Sequence, residues 1–123
     1  MTNYLRKKGT IEAMNIAAGQ GTSMQVLVSA DDAPNFAMRR FIMEANGGMP
    51  LHTNLVEHEQ YIISGSADVK IGDQDLQVAA GDSVYIPAEV PHSYTAGAEG
   101  FEFICVVPNK EDKIKILEPL SES

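Results

Sequence analysis

The feature of this sequence that most constrains its fold is a succession of short apolar segments separated by turn-forming residues. From about residue 24 onward, apolar residues alternate with polar ones or cluster in runs of five to nine, and Gly, Asp, Asn or Pro separates the runs. Helical spacing of apolar residues is nearly absent. Segments of this length and period are typical of β-strands. Eight or nine of them in one chain predict an all-β sandwich or barrel.

The predicted strands follow one another closely along the chain. The pattern places them at residues 24–30, 36–45, 51–55, 59–65, 66–72, 75–80, 83–87, 91–96 and 101–108. We expect the fourth and fifth to form a hairpin, and a loop to separate the last two.

The length of the chain predicts a single domain. Its 123 residues suffice for a sizeable core without disulfides or metals as staples. We expect residues 1–123 to form this domain, with a barrel core at about 24–108 and a C-terminal surface tail at 109–123. Within the tail, residues 113–117 could form an edge strand or contact a partner.

Side-chain parity predicts which residues line the barrel, because every second residue of a strand points inward. In the last strand Phe101, Phe103 and Cys105 share one face, and we expect it to point inward because Glu102 on the other face prefers water. The strand at 36–45 has two possible inward sets, and each buries an arginine. The sets are Arg39, Phe41 and Met43, or Met38, Arg40 and Ile42.

Charge and cysteine content exclude several classes of function. Nine basic and 17 acidic residues give a net charge of −8, and the basic residues form no patch beyond 6–8 and 39–40. Nucleic acid and anionic membrane surfaces are therefore not expected as partners. A single cysteine, Cys105, excludes an internal disulfide and suits a reducing compartment. No apolar run spans a bilayer and the start of the chain lacks a signal peptide, so we expect a cytoplasmic protein.

The three histidines lie in two short segments that each predict strand, turn and strand. His52 and His58 belong to 50–65, and His92 belongs to 81–94. Two such turns could direct their imidazoles at one point, and neutral imidazole is the commonest protein ligand for transition metals. The sequence therefore predicts a metal centre.

The two segments resemble the motifs of the cupins, G-x5-H-x-H-x3,4-E-x6-G and G-x5-P-x-G-x2-H-x3-N. Gly81, Pro87 and His92 match the second motif at its spacing, with Glu89 and Ala96 in place of its glycine and asparagine. His52 and Gly65 match the first, its leading glycine lies one residue closer at Gly47, and Asn54 replaces its second histidine. The resemblance covers most of 36–108 and implies a double-stranded β-helix, that is, a jelly-roll barrel.

The carboxylate position of the first motif is occupied by a histidine. Counting back from Gly65 selects His58 rather than Glu59. This is similar to small single-domain cupins with a four-histidine site and the pattern H-x-H-x3-H-E, in which Asn54 would be the one missing imidazole. The resemblance implies metal binding by His52, His58 and His92, with Asn54 as a provisional fourth ligand.

The resemblance implies that the protein binds one divalent transition metal, with Mn or Fe favoured over Ni, Zn and Cu. It also implies a small anionic or chelating substrate. The leading hypothesis is a mononuclear dioxygenase-like enzyme. The alternatives are a non-catalytic sensor or storage protein and a Lewis-acid isomerase or decarboxylase, since fold does not fix function. Small cupins commonly dimerise, and we expect a homodimer.

Further roles are open for residues near the predicted centre. Tyr94 is expected to line the cavity, Cys105 is a core residue or touches substrate, and Arg39 is either ion-paired at the surface or an inward anion-binding group. Together they are the candidate catalytic residues. Glu57 and Glu59 are expected to face away from the metal and could orient an imidazole.

Overall fold

The computed structural model describes residues 4–118, which form eight β-strands and no helix. The strands are β1 (Met14–Asn15), β2 (Gln20–Val28), β3 (Phe36–Thr53), β4 (His58–Ile71), β5 (Gln74–Ala79), β6 (Ser83–Ile86), β7 (His92–Pro108) and β8 (Lys115–Glu118). The all-β prediction is confirmed. None of the residues in this range forms a helix of the length and apolarity that a membrane crossing requires.

Three long strands build the barrel, because each of them takes part in both of its halves. In one half, Phe103 of β7 pairs with Phe41 of β3 on one side and with Ile62 of β4 on the other. In the other half, Thr95 of β7 pairs with Gly48 of β3 and Asp68 of β4. All these pairings are antiparallel, and the strand order is β1-β2-β3-β7-β4-β5. The result is the predicted jelly-roll barrel.

The predicted hairpin between 59–65 and 66–72 is wrong, because both segments belong to the single strand β4. Gly65 lies where β4 bends from one half of the barrel to the other. Its φ is 75°, and a Cβ atom there would lie 2.0 Å from the carbonyl oxygen of Gly100. The glycine signal therefore marks a bend with close backbone approach rather than a chain reversal.

The predicted loop after residue 96 is wrong for the same reason. Residues 92–108 form one continuous strand, β7, which changes partners on β4 across a register shift between Gly65 and Ala67. Gly100, with a φ of 82°, lies on β7 opposite the bend of β4. A strand that bends without ending keeps its backbone hydrogen bonds. Turn-forming residues in the sequence do not distinguish such a bend from the end of a strand.

The inward faces follow the predicted parity. Phe101, Phe103 and Cys105 are at most 1% exposed, which confirms the inward face of the last strand. On β3 the inward set is the one that contains Arg39, because Met43 is buried and Phe41 stacks on Phe103 with ring centroids 5.0 Å apart.

The segment after β7 returns to the barrel rather than leaving it. Its strand β8 pairs with the end of β3, where Thr53 lies opposite Lys115 and Leu51 opposite Glu118. All four residues of β8 are exposed. Of the two possibilities for 113–117, the structure places most of the segment in an edge strand of the same chain.

Candidate metal centre

The three histidines converge from three different strands. His52 lies near the end of β3, His58 begins β4 and His92 begins β7, and all three are buried. His52 and His92 are register partners on adjacent strands. The ring centroids of His52 and His92 are 4.1 Å apart, and those of His58 and His92 are 5.8 Å apart. The two histidine-bearing turns therefore meet at one point, with His92 in the middle of the group.

Backbone carbonyl groups fix the tautomers of two of these rings. The Nδ1 atom of His52 lies 2.7 Å from the carbonyl oxygen of Pro50, and that of His92 lies 2.9 Å from the carbonyl oxygen of Val90. Because a carbonyl oxygen only accepts, each Nδ1 carries the proton and donates it. The Nε2 atom of each ring therefore retains the lone pair that a metal requires.

The third ring is held by a sulfur atom. The Nδ1 atom of His58 lies 3.2 Å from the Sγ atom of Cys105, while its Nε2 atom is buried with no hydrogen-bond partner. Glu57 and Glu59 are exposed, and the imidazoles are oriented by carbonyl groups and sulfur instead. The expectation that a glutamate orients an imidazole is therefore wrong, because both carboxylates face solvent.

Burial keeps all three imidazoles neutral. Loss of hydration lowers the pKa of each ring, and the charge of Arg39 adds to this effect at His58. The pKa of His58 falls to about 3 and that of His92 to about 4. Neutral rings are the form that binds metal, so at neutral pH no proton has to be removed before a metal is bound.

Asn54 lies just beyond β3 and is held from the opposite side by the segment before β8. Its Nδ2 atom donates to Oδ2 of Asp112 over 3.2 Å, and the backbone N–H of Leu55 donates to Oδ1 of the same carboxylate over 2.8 Å. The Oδ1 atom of Asn54 is buried and has no hydrogen-bond partner among residues 4–118. The amide is therefore oriented by Asp112, and Asn54 is not among the residues that line the histidine cavity.

Asp112 was missed by the sequence analysis. It lies in a polar segment with no motif around it, and only the pairing of β8 with β3 brings it to Asn54. Its negative charge raises the pKa of all three histidines against the effect of burial. No local signal in the sequence distinguishes it from its acidic neighbour Glu111.

An aromatic and amide wall closes one side of the histidine group. Tyr94 is buried, stacks on Phe103 with centroids 5.3 Å apart and accepts a 2.7 Å hydrogen bond from Nε2 of Gln60. Burial raises the pKa of the Tyr94 hydroxyl. Tyr94 is thus a neutral wall residue at neutral pH, and Gln60, which also had no sequence signal, holds it in place.

The cavity enclosed by this wall is small. It is lined by the three histidines together with residues that include Met43, Met49, Gln60 and Tyr94, and its volume is about 30 Å³. That volume accommodates an ion or a single water molecule. Larger grooves elsewhere, such as one beside Lys70 and Gln77, do not include a histidine.

The two remaining candidates from the sequence, Cys105 and Arg39, lie next to each other. Cys105 is fully buried, and burial raises the pKa of its thiol. The Nη2 atom of Arg39 is 3.8 Å from Cys105 Sγ, and the guanidinium lies over the ring of Phe41 at 5.3 Å. Of the two sequence hypotheses for Arg39, the structure therefore supports an inward side chain that forms no ion pair among residues 4–118.

The residues fit a metal in donor chemistry, although not yet in final geometry. Across the described range, no three or more His, Cys, Asp or Glu side chains are already arranged as a metal-binding group. The buried Nε2 of His58 and Oδ1 of Asn54 nevertheless lack partners, which is costly for polar atoms unless something else satisfies them.

Solved structures with the same fold belong to proteins of several kinds. The polyketide cyclase RemF from Streptomyces resistomycificus is 25% identical, with a TM-score of 0.85 over 99% of this chain and 89% of its own. A variant of oxalate decarboxylase from Bacillus subtilis is 27% identical, with a TM-score of 0.70 over 80% of this chain but only 27% of its own. A cupin-2 domain from Rhodospirillum rubrum is 23% identical, with a TM-score of 0.82 over 91% of this chain and 78% of its own.

The comparison with protein families gives a more specific result. No curated protein matches the sequence. The model of the cupin domain family matches residues 39–107, which is more than half of the chain and contains all three histidines. The chain therefore belongs to the cupin domain family.

Proposed function

We propose that this protein is a mononuclear metal-dependent enzyme whose ion is held by His52, His58 and His92. Asn54 completes the ligand set through its Oδ1 atom. The observation that carries the proposal is the convergence of three buried, neutral imidazoles on one cavity, in which Nε2 of His58 has no hydrogen-bond partner among residues 4–118 and the tautomers of His52 and His92 leave Nε2 available. Mn and Fe are the proposed ions, followed by Ni, Zn and Cu.

When bound, a divalent metal supplies a Lewis acid that attracts anionic chelating ligands and lowers the pKa of water. The protein contributes neutral ligands, so none of the metal's charge is compensated by the residues that hold it. Tyr94, Phe103 and Met43 exclude bulk water from the same space. None of the described residues that line this cavity carries a carboxylate, which argues against hydrolysis by a pair of carboxylates. We therefore propose a substrate that is small, anionic and able to chelate.

Oxygenation of such a substrate is the reaction we propose first. A cavity without a general base favours chemistry driven by the metal over proton transfer from a side chain. The names of two of the similar structures, a cyclase and a decarboxylase, support a second candidate, in which the same site acts as a Lewis acid without consuming oxygen. A non-catalytic sensor or storage role is the third, and it shares the metal site but not the turnover.

Two measurements test the proposal. Elemental analysis of protein purified without added metal should give close to one transition-metal ion per chain, and a His58→Ala variant should lose it. Oxygen consumption with catechols and β-dicarbonyls, in air, should then depend on that ion. Release of carbon dioxide from oxalate under anaerobic conditions would select the Lewis-acid candidate instead.

The remaining outcomes are equally decisive. Stoichiometric metal without turnover of any chelating substrate would favour the sensor or storage role. Failure of the wild-type protein to retain Mn, Fe, Ni or Zn at saturating concentration would contradict the metal centre itself.

A further inference from the structure

Two consecutive arginines of β3 point to opposite faces and differ in their partners. Arg40 faces outward, where Nη2 donates to Oε2 of Glu102 over 2.8 Å and Nη1 donates to Oε1 of Gln25 over 3.2 Å. Arg39 faces inward, and its one hydrogen-bond contact in the part of the chain that the structure describes is the 3.8 Å approach of Nη2 to Cys105 Sγ. Within residues 4–118 no carboxylate forms a salt bridge with Arg39.

This inward guanidinium is poorly satisfied. A guanidinium presents five N–H donors and does not lose its charge in proteins, whereas sulfur is a weak acceptor. The Nε atom of Arg39 is buried without a partner; the same is true of Arg40, whose two terminal nitrogens are however both bonded to oxygen. The ring of Phe41 favours the positive charge of Arg39 but offers no acceptor for its N–H groups. Arg39 is half-buried, and a cation in this position is stabilised by an anion that reaches it.

Arg39 lies beside the histidine group. Arg39, Cys105 and Gln60 are register partners across β3, β7 and β4, and Gln60 lines the cavity. Cys105 Sγ touches both Nη2 of Arg39, at 3.8 Å, and Nδ1 of His58, at 3.2 Å. The two nitrogens are thus no further apart than these two distances combined.

The other charge near the histidines does not neutralise Arg39. Asp112 is the acidic group whose field reaches all three imidazoles. Its two oxygens are already bonded to Asn54, Leu55 and Lys113. The field of Arg39, in contrast, lowers the pKa of His58 further than burial alone does. The Arg39 side of the group therefore carries an unbalanced positive charge.

We propose that Arg39 recognises the carboxylate of the substrate, whose second oxygen donor faces the three histidines. This inference rests on the proposed function, because the second oxygen donor would bind the proposed metal. It narrows the substrate class to small carboxylates that carry another oxygen donor a few bonds from the carboxylate. The enclosed cavity of about 30 Å³ holds no more than an ion or a water molecule and is not lined by Arg39, so the carboxylate is expected outside it, against the half-buried guanidinium. The forked donors of a guanidinium match a carboxylate in two-point contact.

Malonate is a suitable probe, because it carries two carboxylates on one carbon. Its dissociation constant is measured by calorimetry with Mn²⁺-saturated wild-type protein and three variants. Arg39→Gln should weaken malonate binding by about tenfold or more, since it removes a charge-assisted hydrogen bond. The malonate affinity of Arg39→Lys should lie between those of the wild type and Arg39→Gln. Lysine keeps the positive charge but lacks the paired N–H donors of the guanidinium.

The matched control is Arg40→Gln, which removes the same charge from the outer face of the same strand. It should leave malonate binding unchanged. Equal weakening in both glutamine variants would reduce the effect to net charge and overturn the inference. Malonate binding by Arg39→Gln as tight as by the wild type would overturn it as well, and thermal melting of each variant verifies that it is folded.

Metal affinity is measured in the same proteins and separates the two proposals. If the wild type and Arg39→Gln both bind Mn²⁺ but malonate affinity does not depend on Arg39, only the present inference fails. If the wild type binds no metal, the proposed function fails, and malonate is titrated into the metal-free proteins. If malonate binds the metal-free wild type but not metal-free Arg39→Gln, the anion site is supported. If malonate binds both proteins equally, or neither, the anion site is overturned.

Discussion

At the scale of single residues, the site is defined by buried imidazoles whose Nε2 atoms form no hydrogen bond with the described residues. His52, His58 and His92 each use Nδ1 in a fixed contact and keep Nε2 free. Their lowered pKa values follow mainly from burial. The same neutral imidazoles therefore determine both the pH dependence of stability and the capacity to bind a metal.

Acid should destabilise the metal-free protein well before its carboxylates titrate. The unfolded histidines titrate near pH 6.5, whereas folded His58 and His92 titrate at about 3 and about 4. As the pH falls below 6.5, these two histidines take up protons in the unfolded state but not in the folded state. Each of them therefore lowers the free energy of unfolding by about 1.4 kcal/mol per pH unit. The free energy of unfolding in urea, measured at pH 7, 6 and 5, should decline with this slope. A flat profile between pH 7 and pH 5 would contradict buried neutral rings, and a His58→Gln variant should show a shallower decline.

Asn54 offers a direct test of the ligand set. Asn54→His supplies the imidazole that the four-histidine pattern predicts and should tighten metal binding by about tenfold. Asn54→Ala should weaken it, since the unpaired Oδ1 atom is lost. Competition with a chromophoric chelator measures both. Wild-type affinity in Asn54→Ala would show that Oδ1 is not a ligand.

The residues of the site divide by how they are encoded. The convergence of the three histidines could be predicted because two strand–turn–strand motifs fix their positions, whereas metal binding by these residues and Asn54 stays a prediction. Asp112 and Gln60 could not be predicted, because they contribute hydrogen bonds that many other polar residues could also make. The inward direction of Arg39 was left open because parity gave two sets, each with an arginine. Only the partner of each arginine, sulfur or carboxylate, distinguishes them.

At the scale of strands, glycines decide where the chain bends and not only where it turns. The boundaries near residues 65 and 96 were predicted as strand ends because glycine commonly ends a strand. In the barrel these positions are bends within β4 and β7, whose pairing continues on both sides. The strand character of each segment and the parity of its side chains are local properties and could be predicted. The continuity of strands depends on which partner lies opposite and could not.

The bend in β4 can be tested with two glycines that share a left-handed conformation. Gly65→Ala should cost about 2 kcal/mol or more, because its positive φ is unfavourable and its Cβ would meet the carbonyl of Gly100 at 2.0 Å. Gly72, with a φ of 59°, has only Val90 Cγ1 at 3.7 Å, so Gly72→Ala should show the smaller cost of φ alone. Equal losses in denaturant unfolding would contradict the close approach at Gly65.

The segment before β8 serves the site through Asp112. Asp112→Ala removes the acceptor for Asn54 and Leu55 and should lower stability by about 1–2 kcal/mol. It should also weaken metal binding, because the Asn54 amide is no longer oriented. Glu111→Ala, one residue away, is the control and should change neither thermal melting nor metal affinity. Unchanged metal affinity in Asp112→Ala would show that Asn54 is positioned by β3 alone.

At the scale of the whole molecule, the expected homodimer stays a prediction. The edge strand β8 pairs with β3 on one side, and its residues are exposed. Strand edges of this kind are commonly covered by a second chain. Light scattering after size-exclusion chromatography should give twice the chain mass of 13.3 kDa at micromolar concentration. A single chain mass under these conditions would contradict the dimer.

The convergence of β3, β4 and β7 on one cavity also has a consequence for biosynthesis. His52 leaves the ribosome 40 residues before His92, and Asp112, which orients Asn54, emerges later still. A nascent chain thus holds isolated imidazoles with no pocket around them until almost all of the barrel has been translated. In the proposed metal centre, the ion would therefore be loaded only after nearly the whole barrel has been synthesised.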